Sequence, residues 1–206
     1  MTERSDLESL ALLEIDGVPR AIRAQDAALK RAPTLVLACT PVSSGKAVLI
    51  LAGSIAAVEE SLKEAEEIVG SRRLDRLFLP GVHPDLLLAL RGARTERHGE
   101  ALAILELKNV AATLEAADSA LKAAKVGLGR LHLATGFGGK GFFTLWGEQA
   151  EVEAGVAASL RVAGERALDH EIIPAPHNEL DDAAFLRPWP IDPADPTAGS
   201  RVKPKE

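Results

Sequence analysis

The chain has 206 residues, 47% of them hydrophobic, and a net charge of −6 from 24 basic and 30 acidic side chains. That balance argues against nucleic acid as the main partner, because no basic face dominates. One cysteine rules out a disulfide framework and fits a reducing compartment; a polar opening segment and the lack of any apolar run of about 20 residues fit a soluble cytosolic protein.

The predicted elements follow one another in a simple order. Leu10–Ile15 is a short apolar run that reads as a strand. Val18–Ala32 reads as a helix, with Val18, Ala21, Ile22, Ala28 and Leu29 recurring at helical spacing, Pro19 in the first turn and Pro33 as the stop. Thr34–Thr40 and Lys46–Ala52 are β-type runs, joined through Pro41-Val42-Ser43-Ser44-Gly45 as a hairpin with a long tip. Ser54 is placed as an N-cap for a helix whose apolar stripe is Ile55, Val58, Leu62, Ala65 and Val69, and Gly70 stands where a C-cap glycine belongs. Leu74–Leu79 closes a β-α-β-β-α-β unit.

The same unit then returns. Residues 10–32 match residues 102–124 at an offset of 92, with 11 of 23 positions identical, including Glu14/Glu106, Asp26/Asp118 and Lys30/Lys122. Two residues are gained, and the match resumes at an offset of 94, placing Gly45-Lys46 on Gly139-Lys140, Asp75 on Asp169 and His83 on His177. The expected fold is therefore α/β of the α+β kind, a ferredoxin-like variant: two tandem βαββαβ domains at 9–90 and 100–184 with a linker at 91–99. Domains this small bury a limited share of their surface, so each copy is expected to lean on neighbours. HPDLLLAL after the first copy reads as a short helix. Residues 185–206, with five prolines in the last 19 positions, read as an extended or disordered tail; Trp189 there either docks or is incidental.

No catalytic constellation emerges. Gly136-Phe137-Gly138-Gly139-Lys140-Gly141 formally fits G-x-G-x-x-G, but it leads into a strand, whereas a dinucleotide loop must lead into a helix. The Walker pattern fails as well, with Ala134 at its first glycine. Cys39 has no neighbouring Cys or His and reads as a buried, inert thiol. His83 and His177 lack metal-ligand spacing and read as capping or packing residues. Glu14 and Glu106 read as structural hydrogen-bonding carboxylates, and Lys30 and Lys122 suit helix C-termini. The equivalent loops Pro41–Lys46 and Gly136–Lys140 are the most unusual segments. Composition leaves two readings: ordinary hairpin tips, or tips that meet symmetry copies around an axis.

The runs LALLEIDGVPRAIRAQDAALKRA and ALAILELKNVAATLEAADSALKAA, the hairpins ending in Gly-Lys, and LPGVHPDLL and IIPAPHNEL resemble the bacterial microcompartment shell domain. The resemblance implies a trimer-forming tandem shell protein that imitates a hexameric tile, in the unpermuted, single-layer class, located in the shell of a cytoplasmic microcompartment. It implies a central pore lined by Ser43, Ser44 and Gly45 from one copy and Phe137, Gly138 and Gly139 from the other, passing small polar metabolites. Lys30 and Lys122 are implied to contact neighbouring tiles, with hexameric and pentameric shell proteins as partners. The usual arginine of the edge motif is replaced by Gly81 and Ala175. Some single-layer relatives bind an iron–sulfur cluster through a cysteine in the first pore loop; Ser43 stands at its place here and Phe137 at the equivalent place of the second copy, so no cofactor is expected. Lys46 and Lys140 are left with two readings, facing the channel as anion-favouring charges or solvating the flat surface. Phe137 either narrows the opening or, turned aside, packs between subunits. A duplicated small-molecule-binding sensor is the alternative function, and an enzyme ranks last.

Overall fold

The computed structural model describes residues 7–93, 98–178 and 180. One compact unit extends to Ala175 and holds two four-stranded antiparallel sheets. In the first copy the elements run β1 (Ser9–Ile15), α1 (Val18–Arg31), β2 (Leu35–Val42), β3 (Lys46–Gly53), α2 (Ile55–Val69) and β4 (Arg73–Pro80), then α3 (Pro84–Leu90). The second copy runs β5 (Ala101–Leu107), α4 (Val110–Ala123), β6 (Gly127–Leu133), β7 (Gly141–Gly147), α5 (Gln149–Ala163) and β8 (Ala167–Pro174). Strand orders are β2-β3-β1-β4 and β6-β7-β5-β8. The βαββαβ order read from the sequence holds in both copies. Beyond this unit, Leu180 N–H donates to the His177 carbonyl at 3.0 Å; Trp189 and the proline-rich tail lie outside the described residues.

Local chemistry explains the punctuation. The Ser54 hydroxyl accepts from Ala57 N–H and starts α2, and Gly70 ends it at φ 56°, where a side chain would be strained. The matching glycine after α5, Gly164, takes φ 53°. The first hairpin is tighter than expected. β2 continues through Pro41-Val42, whose residues pair with Ala47 and Lys46, so the tip is only Ser43–Gly45. Pro41 is accommodated because β2 is an edge strand.

Each sheet turns alternate residues to opposite faces. On β1, Ala11, Leu13 and Ile15 join a core with Ala21, Ala24 and Ala28 of α1 and Val58, Leu62 and Ala65 of α2. On its other face, Leu10 and Leu12 join the core of the second copy, with α4 packed on β1 and β4. The first sheet is thus covered on both faces, by its own helices and by its sister domain's.

The apolar stripe read for α1 needs correcting. The helix buries Ala21, Ala24 and Ala28, whereas Val18, Ile22 and Leu29 are 38%, 58% and 46% exposed. Small alanines meet the sheet at close range, and the larger residues point along a different face. In α2, Val58, Leu62, Ala65 and Val69 are buried as expected, but Ile55 is exposed.

Candidate functional site

The two hairpin tips meet inside one chain. The first is a three-residue turn in which Ser44 and Gly45 take φ 70° and 72°. The second, residues 134–140, is closed by Phe137 N–H on the Ala134 carbonyl, Lys140 N–H on the Phe137 carbonyl and Ala134 N–H on the Lys140 carbonyl. Gly139 takes φ 86°, and a Cβ added to it would lie 2.9 Å from Ser44 Oγ, so the tips meet closely at this glycine. Of the candidate residues, Ser44, Gly45 and Gly138 are exposed, Ser43 and Phe137 are half-buried, and Gly139 is buried under the first tip.

Lys46 follows neither route read from the sequence. Its ammonium turns back beneath the tip, ion-pairs with Glu14 and donates to the Gly139 carbonyl at 3.2 Å. Both side chains are buried. A carboxylate removed from water needs such a partner, and Glu14 has a second one in Ala111 N–H at 2.9 Å, near the start of α4. Lys140 likewise pairs with Glu106, but here the side chains are 39% and 30% exposed. Its Nζ also lies 4.5 Å from the Phe137 ring centroid. Neither lysine is a free cation at the tips. The repeated carboxylates have the structural role expected of them, with the lysines as partners.

Phe137 packs aside. Its ring meets His132 and Phe142 edge-on at 5.8 and 5.7 Å, and His132 stacks on Phe142 at 5.1 Å. Burial, with a smaller effect from Arg130, lowers the His132 pKa, although its hydrogen bond to the Thr135 carbonyl opposes this. The ring therefore favours the neutral form.

The junction between the copies extends outward from the tips. Asn109 caps α4 by accepting from Ala112 N–H, and its amide donates to Asp75 at 2.6 Å. Asp118, buried on α4, accepts from His83 N–H at 2.8 Å and holds Lys122. Its counterpart Asp26 holds Lys30 in an exposed pair. The Asp-x-x-x-Lys pattern is thus a local i, i+4 pair in both helices. His83 caps α3, where its ring accepts from Asp85 N–H. Cys39 is half-buried and not buried as expected, and desolvation raises its thiol pKa, which disfavours the thiolate.

Sequence reasoning missed Asp75, Asn109 and the Glu14–Lys46 pair. The clue was there: Glu14 and Glu106 repeat, as do Lys46 and Lys140. The register that pairs Glu14 with Val48, two residues from Lys46, puts both on one face of adjacent strands.

Among the described residues no group of three or more His, Cys, Asp or Glu side chains is arranged to hold a metal, and no helix is long and apolar enough to cross a membrane. The BMC domain matches residues 9–81 and 101–176. The bacterial microcompartment shell protein PduT of Citrobacter freundii is 33% identical over 175 residues, covering 84% of this chain and 95% of that protein. A crystal structure of a microcompartment protein from Desulfitobacterium hafniense superposes with a TM-score of 0.79 at 37% identity, covering 86% of this chain and 99% of that one. A fused permuted hexameric shell protein from the RMM microcompartment shares the fold, with a TM-score of 0.57 at 21% identity over 75% of this chain and 81% of that one.

Proposed function

The chain belongs to the BMC-domain family of microcompartment shell proteins, in a tandem form, and on that premise we propose that three copies close into a pseudohexameric tile with a central pore. Its work is structural: the tile occupies the shell of a microcompartment, beside hexameric and pentameric shell proteins. The observation that carries the ring reading is the contact between the two hairpin tips, Lys46 on the Gly139 carbonyl with Ser44 against Gly139. Two equivalent tips converging in one chain are two of the six a ring would bring together. A heterologous contact that repeats and closes makes a ring.

In that ring Ser43, Ser44, Gly45, Phe137, Gly138 and Gly139 belong to the pore segment. Ser44 and Gly138 offer the exposed rim, and Gly139 supports it from behind. Because Lys46 and Lys140 are neutralised by Glu14 and Glu106, selectivity follows from diameter, hydroxyls and peptide dipoles and not from a ring of cations. The permeant class that suits such a rim is a small polar metabolite. No cofactor is assigned: three Ser43 hydroxyls do not replace thiolates as iron–sulfur ligands.

The test is the native mass of the purified protein together with electron microscopy of its assemblies. A homotrimer that forms sheets is expected; a monodisperse monomer or dimer across micromolar concentrations overturns the reading. Ser43→Trp in assembled shells should slow metabolite passage, and unchanged passage removes Ser43 from the pore.

A further inference from the structure

Two surfaces of this chain carry accessible residues whose equivalents cover each other. On α1, Val18, Ile22 and Leu29 are exposed, while their counterparts on α4, Val110, Leu114 and Leu121, are buried at the junction with the first copy. On β5, Ile104 and Glu106 are half-exposed, while their counterparts on β1, Leu12 and Glu14, are buried under α4. The chain thus displays an exposed helix face at one end and, at the other, a sheet face that is accessible at Ile104 and Glu106, while Leu102, Thr144 and Trp146 beside them are buried. The occupant each lacks is present once, internally, in the same molecule.

In the pseudohexameric ring proposed above the junction between chains repeats the junction between domains, and we infer that Lys140 is the clasp of the chain junction. Lys46 donates to the Gly139 carbonyl of the sister domain. At the offset of 94, Lys140 replaces Lys46 and Gly45 replaces Gly139. Lys140 therefore donates to the carbonyl of Gly45 of the partner subunit, whose α1 face is covered by this chain's β5–β8 surface. Lys140 is a positioning residue: it ties the pore tip of one chain to the tip of the next while Glu106 keeps its charge paired. The inference rests on the ring reading above and assigns the contacts that would hold the ring together.

The chain junction is also the leaner of the two. Asn109 and Ala111 N–H supply hydrogen bonds across the domain junction, to Asp75 and Glu14. The equivalent positions are Gly17, without a side chain, and Pro19, without an N–H. Two donors are missing where two chains meet, so the ring comes apart at chain junctions before it opens between domains.

A paired-cysteine experiment tests this in the full chain with Cys39→Ser. A Cβ on Gly139 would lie 3.4 Å from Ser44 Cβ, close to the ~3.5–4.5 Å a disulfide spans. Ser44→Cys with Gly139→Cys should therefore close within one chain. The equivalent pair is Gly45→Cys with Gly138→Cys, and Gly138 at φ 59° has nearly the backbone of Ser44 at φ 70°. This second pair should yield covalent dimers and trimers on oxidation that collapse to single chains on reduction. A native trimer that forms no such links overturns the clasp and leaves the ring reading standing; an unsubstituted chain that is monomeric overturns the ring itself. Ile22→Asp gives an independent check, because Ile22 is 58% exposed, so its replacement should leave the single chain folded. It should weaken the trimer at least ~100-fold. An undiminished trimer in that variant overturns the assigned interface.

Discussion

The two copies share a fold, a strand order and the same register on their central strands, yet their first helices live in different surroundings. α1 buries three of its 14 residues and α4 buries ten of 14. Positions 18, 22 and 29 hold Val, Ile and Leu, and positions 110, 114 and 121 hold Val, Leu and Leu. The apolar character is the same; the covering differs, because the first copy lies on this face of α4, whereas on α1 Val18, Ile22 and Leu29 stay exposed among the described residues. Equivalent sequence with unequal burial singles out the α1 face as the contact surface of the proposed ring. The Glu-Lys pairs teach the same lesson, closed at Glu14–Lys46 and half-open at Glu106–Lys140.

The largest separation is expected from charge placed on the two helices. Leu114→Asp buries an unpaired carboxylate in the shared core and should cost more than about 4 kcal/mol, enough to abolish folding in a domain of marginal stability. Ile22→Asp should leave a cooperative urea transition. If both variants unfold alike, the comparison of the two faces fails. Next come the lysines, compared in the monomeric Ile22→Asp background. Lys46→Met strands the Glu14 carboxylate and should cost about 3–5 kcal/mol, whereas Lys140→Met should cost about 1 kcal/mol or less. Equal losses in urea midpoints would mean that burial does not set the difference.

A smaller effect tests the second helices. α2 has a side-chain N-cap in Ser54, and α5 has none at Glu148. Ser54→Ala should lose about 1 kcal/mol and Glu148→Ser should gain about 0.5–1 kcal/mol by thermal unfolding. The smallest stability change belongs to Lys30→Ala, which removes an exposed pair worth about 0.3–0.5 kcal/mol. Combined with Lys122→Ala it should leave the trimer intact and reduce sheet formation. Unchanged sheets would limit both lysines to surface solvation.

Much of the fold was legible because period and punctuation agree. Ser54 and Gly70 bracket α2 where they were expected, and the repeat carried the second copy along with the first. Element ends moved by a residue or two, and β2 ran on through Pro41 because an edge strand tolerates a missing donor. The stripe on α1 was misread as one face. It serves two, alanines toward its own sheet and the larger residues outward. The tips were singled out by composition, but that Gly139 is buried beneath Ser44 was not legible.

The sequence by itself determined the duplication, the order of elements, the family and the segments that form the tips, since these depend on local pattern and on comparison along the chain. Tertiary structure alone decided what Lys46 does. It stands 32 residues from Glu14 and 93 from Gly139, and its ammonium reaches both only because β3 lies beside β1 and the second tip folds against the first. A flexible four-carbon side chain goes where a buried carboxylate and an unpaired carbonyl are found together, and that place exists only once the two copies have packed.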